Sequence, residues 1–147
     1  MNELTFSYPQ LRQFAFNIFR KMNCPEADAR LAADVLLSAD LRGIDSHGVA
    51  RLSGYVRLWE AKRINSNPTI KIVHETPSTA VVDGDSGLGL VVAPKAMEIA
   101  MQKAAVAGTG WVAVKGSNHF GIAGYHAMMA LQKDMIGMAM TNASPLV

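Results

Sequence analysis

The sequence predicts an α/β protein in which a helical subdomain, residues 1–66, precedes a mixed sheet with flanking helices, residues 67–147. Two observations carry this. The first sixty or so residues show only helical apolar periodicity, whereas from "TIKIVHE" onward short β-branched runs alternate with helical stretches. With 147 residues, 50% of them hydrophobic, the chain is long enough to bury one fair-sized core.

Ser7 is placed to cap a first helix whose apolar positions Leu11, Phe14, Ala15, Ile18, Phe19 and Met22 follow the i, i+3, i+4, i+7 template. That helix has one apolar face and must dock. Pro25 fits the first turn of a second helix running through Ala27, Leu31, Val35 and Leu36 toward Leu41, with Gly43 as a left-handed terminator. A third helix is expected to start near His47 and to carry Val49, Leu52, Val56 and Trp59 on one stripe. After the turn-rich "INSNP", the runs "TIKIVHE" and "TAVVDG", joined by Thr76-Pro77-Ser78, read as a hairpin or a pair of edge strands. "DGDSGLGL" is then a loop, 93–107 a helix, "WVAVK" a buried strand, "GSNHFG" a loop, 122–133 a helix and 136–140 a strand. The apolar finish at Leu146 and Val147 reads as the start of a further element, so the second subdomain is expected to be cut short from a longer protein.

Composition narrows the function classes. The formal charge of +2 is spread without basic runs or interleaved aromatics, which argues against a nucleic-acid partner. The N-terminus lacks the basic start and apolar core of a signal peptide, and no apolar run approaches the roughly 18–20 residues that span a bilayer. One cysteine, Cys24, forms no internal disulfide; a soluble protein in the reducing cytoplasm, with no membrane partner, is expected.

Three polar clusters interrupt the apolar pattern. In "LRGIDSHGVARLSGY", Asp45 and Ser46 are expected to cap the third helix, placing His47 and Arg51 at i and i+4 on its first turn. An imidazole and a guanidinium at a helix N-terminus favour an anion such as a carboxylate. Taken alone, a capping turn explains the same residues. In "KGSNHFGIAGYHAMMAL", Ser117, Asn118 and His119 fall between glycines at the carboxyl end of a strand, where open α/β layers bind ligands. A plain turn is the alternative. In "MTNASP", Thr141, Asn142 and Ser144 follow the last strand, although Asn-Ala-Ser-Pro is also ordinary turn chemistry.

Other signals are weaker. "GDSGLG" has neither the Gly-x-Gly-x-x-Gly spacing nor the Lys-Ser/Thr of a phosphate loop. His74 and His126 read as structural or exposed, and Trp59, Trp111 and the methionines of "AMMAL" as core. The four histidines show no metal-ligand spacing, so no metal is expected.

As a set, "LRGIDSHGVARL", "KGSNHFGIAGYHAMMAL" and "IGMAMTNASPLV" resemble the malate/L-lactate dehydrogenase family, the type 2 group that includes ureidoglycolate and sulfolactate dehydrogenases. The resemblance runs from the first helix to the last residue. It implies a non-Rossmann fold, interconversion of a 2-hydroxy acid and its 2-keto acid, NAD or NADP as cofactor, a homodimer, and a chain more than twice as long. Carried over by position, it makes His119 and His47 the acid/base candidates, puts Ser46, Arg51 and Asn118 beside the substrate, and makes Asn142 and Ser144 cofactor contacts. His119 is expected to be the direct proton donor and acceptor, with His47 assisting; the reverse assignment stays open. A histidine suits that step because its ordinary pKa of about 6.5 lies near working pH, and arginine suits the carboxylate through its planar fork. A catalytically inactive remnant or interaction module of the family is the alternative.

Overall fold

The computed structural model describes residues 5–142. Helix α1 (Tyr8–Lys21) starts as predicted: Ser7 and Gln10 form a capping box, and Arg20 and Lys21 close the last turn, where cations suit the helix dipole. Pro25 stands one residue before α2 (Glu26–Asp40). Ala15 and Phe19 of α1 and a nearly continuous apolar run of α2, from Ala32 to Leu37, are buried together. Arg12 pairs with Asp34 across these two helices.

The third helix starts later than expected. Residues 45–51 form two short 3-10 turns, Asp45–His47 and Val49–Arg51, and α3 is Leu52–Glu60. Gly48, at φ −90° and ψ −144°, separates the turns and stops a helix from propagating through them. His47 and Arg51 are therefore not on one α-helical face.

The hairpin forms as read. β1 (Lys71–Glu75) pairs antiparallel with β2 (Thr79–Gly87), and β2 pairs parallel with β3 (Trp111–Ser117), giving the order β1-β2-β3. The crossover is α4 (Gly89–Ala107), which begins earlier than residue 93, so the expected loop shrinks to the irregular end of β2. There Asp85 and Ser86 both take positive φ, and the register with β3 shifts between Asp83 and Gly87. Leu88, Leu90 and Val91 join the α1, α2 and α3 side chains in one core, and Lys95 of α4 pairs with Asp28 of α2 at 2.9 Å.

Three other expectations change. β3 is exposed rather than buried, with a neighbouring strand on one side only among the described residues; Trp111 is 54% exposed, and of the "AMMAL" methionines Met128 is exposed too. The helix after the loop is α5 (Ala123–Met129), continued by a 3-10 turn, Ala130–Lys133, that ends at Asp134 with positive φ. Residues 136–140 form no strand, since a strand is held by hydrogen bonds to a neighbour and none of these residues gains one among the described residues. Ile136 is fully exposed. No helix among the described residues is long and apolar enough to cross a membrane.

Candidate functional site

The site is built where the turn after α2 meets the loop after β3. At the end of α2, the Asp40 carboxylate accepts the Val49 amide at 2.8 Å. The cap of this region is therefore Asp40, and not Asp45 or Ser46. A Cβ on Gly48 would lie 2.1 Å from Asp40 Oδ1, so only glycine lets that carboxylate reach the backbone beyond it. Burial raises the Asp40 pKa, and Asp45 adds to the rise.

Within the turn, Ser46 Oγ lies 2.9 Å from His47 Nδ1, and Arg51 Nε donates to the Ser46 carbonyl at 2.7 Å. One arginine N–H is thereby spent on orienting the side chain. The two terminal amino groups of the exposed guanidinium make no hydrogen bond among the described residues, which leaves the fork that suits a carboxylate.

The second wall is the loop 116–121. A Cβ on Gly89 would meet the Asn118 carbonyl oxygen at 2.1 Å, so this glycine at the start of α4 admits the loop. His119 then lies with its ring centroid 5.5 Å from that of His47 at an interplanar angle of 27°. Its Nδ1 is 2.7 Å from the Tyr55 hydroxyl and receives the Gly121 amide at 3.3 Å. A backbone N–H only donates, so Nδ1 carries a lone pair, Tyr55 donates to it as well, and the neutral ring holds its proton on Nε2. Desolvation lowers the His119 pKa, and repulsion from His47 and Arg51 lowers it further.

Tyr55 escaped the sequence reading. It is 2% exposed in α3 and tilted against Phe19 at 6.3 Å, and burial raises its pKa, so its hydroxyl stays protonated. The signal available was a tyrosine on the helix stripe one turn past Arg51, since a buried tyrosine hydroxyl needs a partner.

The other candidates are placed less directly. Asn118 donates through Nδ2 to the Ser86 and Gly87 carbonyls, at 2.8 and 3.0 Å, so its donor side ties the loop to the end of β2 and only its amide oxygen remains for a ligand. Asn142 is exposed, follows no strand, and no hydrogen bond joins it to the two histidines among the described residues. Ser144 lies outside the described residues. Gly84 and Gly87 point at Val92, with Cβ positions 2.9 Å from its methyl groups, so these glycines admit the packing of Val92 against the end of β2. His126 is buried in α5, whereas His74 is exposed in β1. Among the described residues, no cluster of three His, Cys, Asp or Glu side chains could hold a metal ion.

Comparison with known proteins agrees on one family. The malate/L-lactate dehydrogenase family profile matches residues 6–147. A malate dehydrogenase of Pyrococcus abyssi is 52% identical over 94% of this chain, and an L-sulfolactate dehydrogenase of Methanocaldococcus jannaschii is 48% identical over 91%. The chain spans only 38% and 39% of those relatives' lengths. The solved sulfolactate dehydrogenase of Methanocaldococcus jannaschii superposes with a TM-score of 0.88 at 45% identity, covering 90% of this chain and 38% of that one. For the malate dehydrogenase of Pyrococcus horikoshii the TM-score is 0.86 at 43% identity, over 88% and 37%.

Proposed function

This chain belongs to the malate/L-lactate dehydrogenase family, and from that premise we propose that its paired-histidine site serves an oxidoreductase interconverting a 2-hydroxy acid, of malate or lactate type, and its 2-keto acid, with NAD or NADP as cofactor. The observation that carries the reading is the stack of His47 on His119 beside a guanidinium already oriented by Ser46. A proton-transfer group and a carboxylate anchor are the two parts such a substrate requires.

In this reading Arg51 binds the carboxylate and Ser46 lies beside it. His119 Nδ1 faces Tyr55 and Gly121, so Nε2 is the nitrogen left for the substrate oxygen. In reduction the imidazolium gives its Nε2 proton to the developing alkoxide and keeps the one on Nδ1, whose N–H turns donor to the Tyr55 oxygen; in oxidation that same Nδ1–H form, reached from the resting Nε2–H ring by proton exchange with solvent, takes the hydroxyl proton on its bare Nε2. His47 assists from the stacked position. The lowered pKa makes the imidazolium of His119 a stronger acid than a free one.

The amide oxygen of Asn118 is left for a polar group of the substrate, while the amide of Asn142 fits the nicotinamide carboxamide and Ser144 adds a hydroxyl on the cofactor side. The cofactor, when bound, supplies the hydride acceptor or donor for C2. The division at residues 66 and 67 is then the seam between the helical part that bears Arg51 and the α/β part that bears His119. The homodimer belongs to the same proposal, and light scattering of the purified chain tests it.

Turnover of His119→Ala and His47→Ala, made in an enzyme of the relatives' length that carries these segments, tests the assignment. Loss of kcat with His119→Ala is expected; loss with His47→Ala alone exchanges the two roles. A second reading, an inactive remnant or interaction module, is favoured by the apolar Ile136, Met138 and Met140, which are 100%, 62% and 73% exposed. Calorimetric titration of the 147-residue chain with NAD(H) and NADP(H) separates the two, because binding with turnover eliminates the remnant reading and no binding favours it.

A further inference from the structure

The peptide group between Phe120 and Gly121 is held at both ends. Its carbonyl oxygen lies 2.8 Å from His126 Nε2, and its N–H, that of Gly121, points to His119 Nδ1 at 3.3 Å. A carbonyl only accepts, so His126 carries its proton on Nε2 and presents a bare Nδ1. That Nδ1 is buried and has no partner among the described residues. The His126 ring is 1% exposed, stacked on Phe120 at 4.8 Å and 27°, with the Tyr125 ring against it edge-on at 5.5 Å. A nitrogen buried without a partner costs stability, and the hydrogen bond made by its opposite side is what this histidine supplies in return.

We propose that His126 is a positioning residue for His119, acting through the Phe120–Gly121 peptide: its Nε2–H grips the carbonyl, turns the peptide plane, and aims the Gly121 N–H at His119 Nδ1. Gly121 sits at φ +80°, a conformation that fixes where that N–H points and that a side-chain-bearing residue would strain. A hydrogen bond at the carbonyl also polarises the amide and strengthens its N–H as a donor. Both effects disfavour a proton on His119 Nδ1. They add to the influence of Arg51, His47 and the Tyr55 hydroxyl on the same ring, and hold the neutral ring in its Nε2–H tautomer. The catalytic meaning of this relay rests on the acid/base role proposed for His119; the hydrogen-bond relay itself does not.

Long-range proton–nitrogen correlation spectra of the labelled 147-residue chain, followed through a pH titration, read the relay without substrate or turnover. In the unsubstituted chain, neutral His126 and neutral His119 should both show the Nε2–H tautomer, and the Gly121 amide proton should titrate with His119. In His126→Phe, which keeps an aromatic ring and removes the donor, the His119 pKa should rise by about half a unit and its tautomers should mix. His126→Gln, whose side-chain amide can reach the same carbonyl, should restore the original pattern. An Nδ1–H tautomer at His126, unchanged His119 signals in a folded His126→Phe chain, or a His126→Gln chain in which the His119 pKa rises as it does in His126→Phe overturns the proposal. If His126→Phe does not fold, the unsubstituted and His126→Gln spectra decide. A failed turnover test at His119 removes the dehydrogenase assignment and leaves these signals where they are.

Discussion

The Tyr55 hydroxyl stands 2.7 Å from His119 Nδ1 although one residue belongs to α3 and the other to the loop after β3. This contact ties the helical part of the chain to the α/β part at the point where proton transfer is proposed. It also fixes the ring: the phenol is buried on its own side by Phe19, so the imidazole has a rigid support.

Tyr55→Phe keeps the ring packing and removes only the hydroxyl. In an active enzyme of the relatives' length, kcat should fall about 10- to 100-fold, while the stability of the 147-residue chain should change by no more than about 1–2 kcal/mol. Steady-state kinetics and urea unfolding measure the two effects separately; an unchanged kcat removes Tyr55 from the site.

Arg51→Lys replaces the fork by a point charge. With the carboxylate anchored less well, KM for the acid substrate should rise about tenfold or more and kcat should change less. An unchanged KM would place the carboxylate elsewhere.

Gly48→Ala drives a methyl group to 2.1 Å from the Asp40 carboxylate. Overpacking of this kind should cost about 2–3 kcal/mol in urea unfolding, and Asp40→Ala, which loses the Val49 cap, about 1 kcal/mol. Because Asp40→Ala also removes the obstacle, the double variant should be less destabilised than the sum of the two. Additive costs would show that the two residues do not press on each other.

Stability should fall as the solution is acidified below about pH 6.5. Burial lowers the His126 pKa, so in the window beneath 6.5 the unfolded chain binds a proton that the folded chain refuses. His126 therefore contributes fully above the unfolded pKa and loses that contribution as pH falls toward its folded value, with a slope of at most about 1.4 kcal/mol per pH unit. His119 acts in the same direction, less strongly because its ring is exposed on one side. Urea midpoints at pH 7.5 and 5.5 should differ in the native chain and differ less in His126→Gln; an equal difference in both chains would exclude His126 as the source.

The helices were legible because their signals are local. Ser7, the apolar spacing of Leu11 to Met22, and the β-branched runs on either side of Thr76-Pro77-Ser78 specify an element without reference to anything distant. The residues that line the site were legible as residue types: His47, Arg51 and His119 stand out because imidazole and guanidinium groups interrupt apolar pattern at glycine-containing turns.

Partners were not legible. Asp40 lies on the helix before the break, and nothing in its neighbourhood marks it as the cap of Val49, nine positions on. The expected strand at 136–140 failed for the related reason that a strand needs a neighbour, which its own residues cannot supply.

The sequence by itself determined the α/β class, the order of most elements and the identity of the polar groups, all consequences of local periodicity and local chemistry, and three of its motifs carried the family resemblance. Only the tertiary structure decided that His47 stacks on His119, that Tyr55 and the Phe120–Gly121 peptide control His119 Nδ1, and that the donor group of Asn118 is spent on β2. Hydrogen bonds between distant segments depend on how the helical part and the sheet pack together, and that packing is a property of the whole core rather than of any stretch of chain.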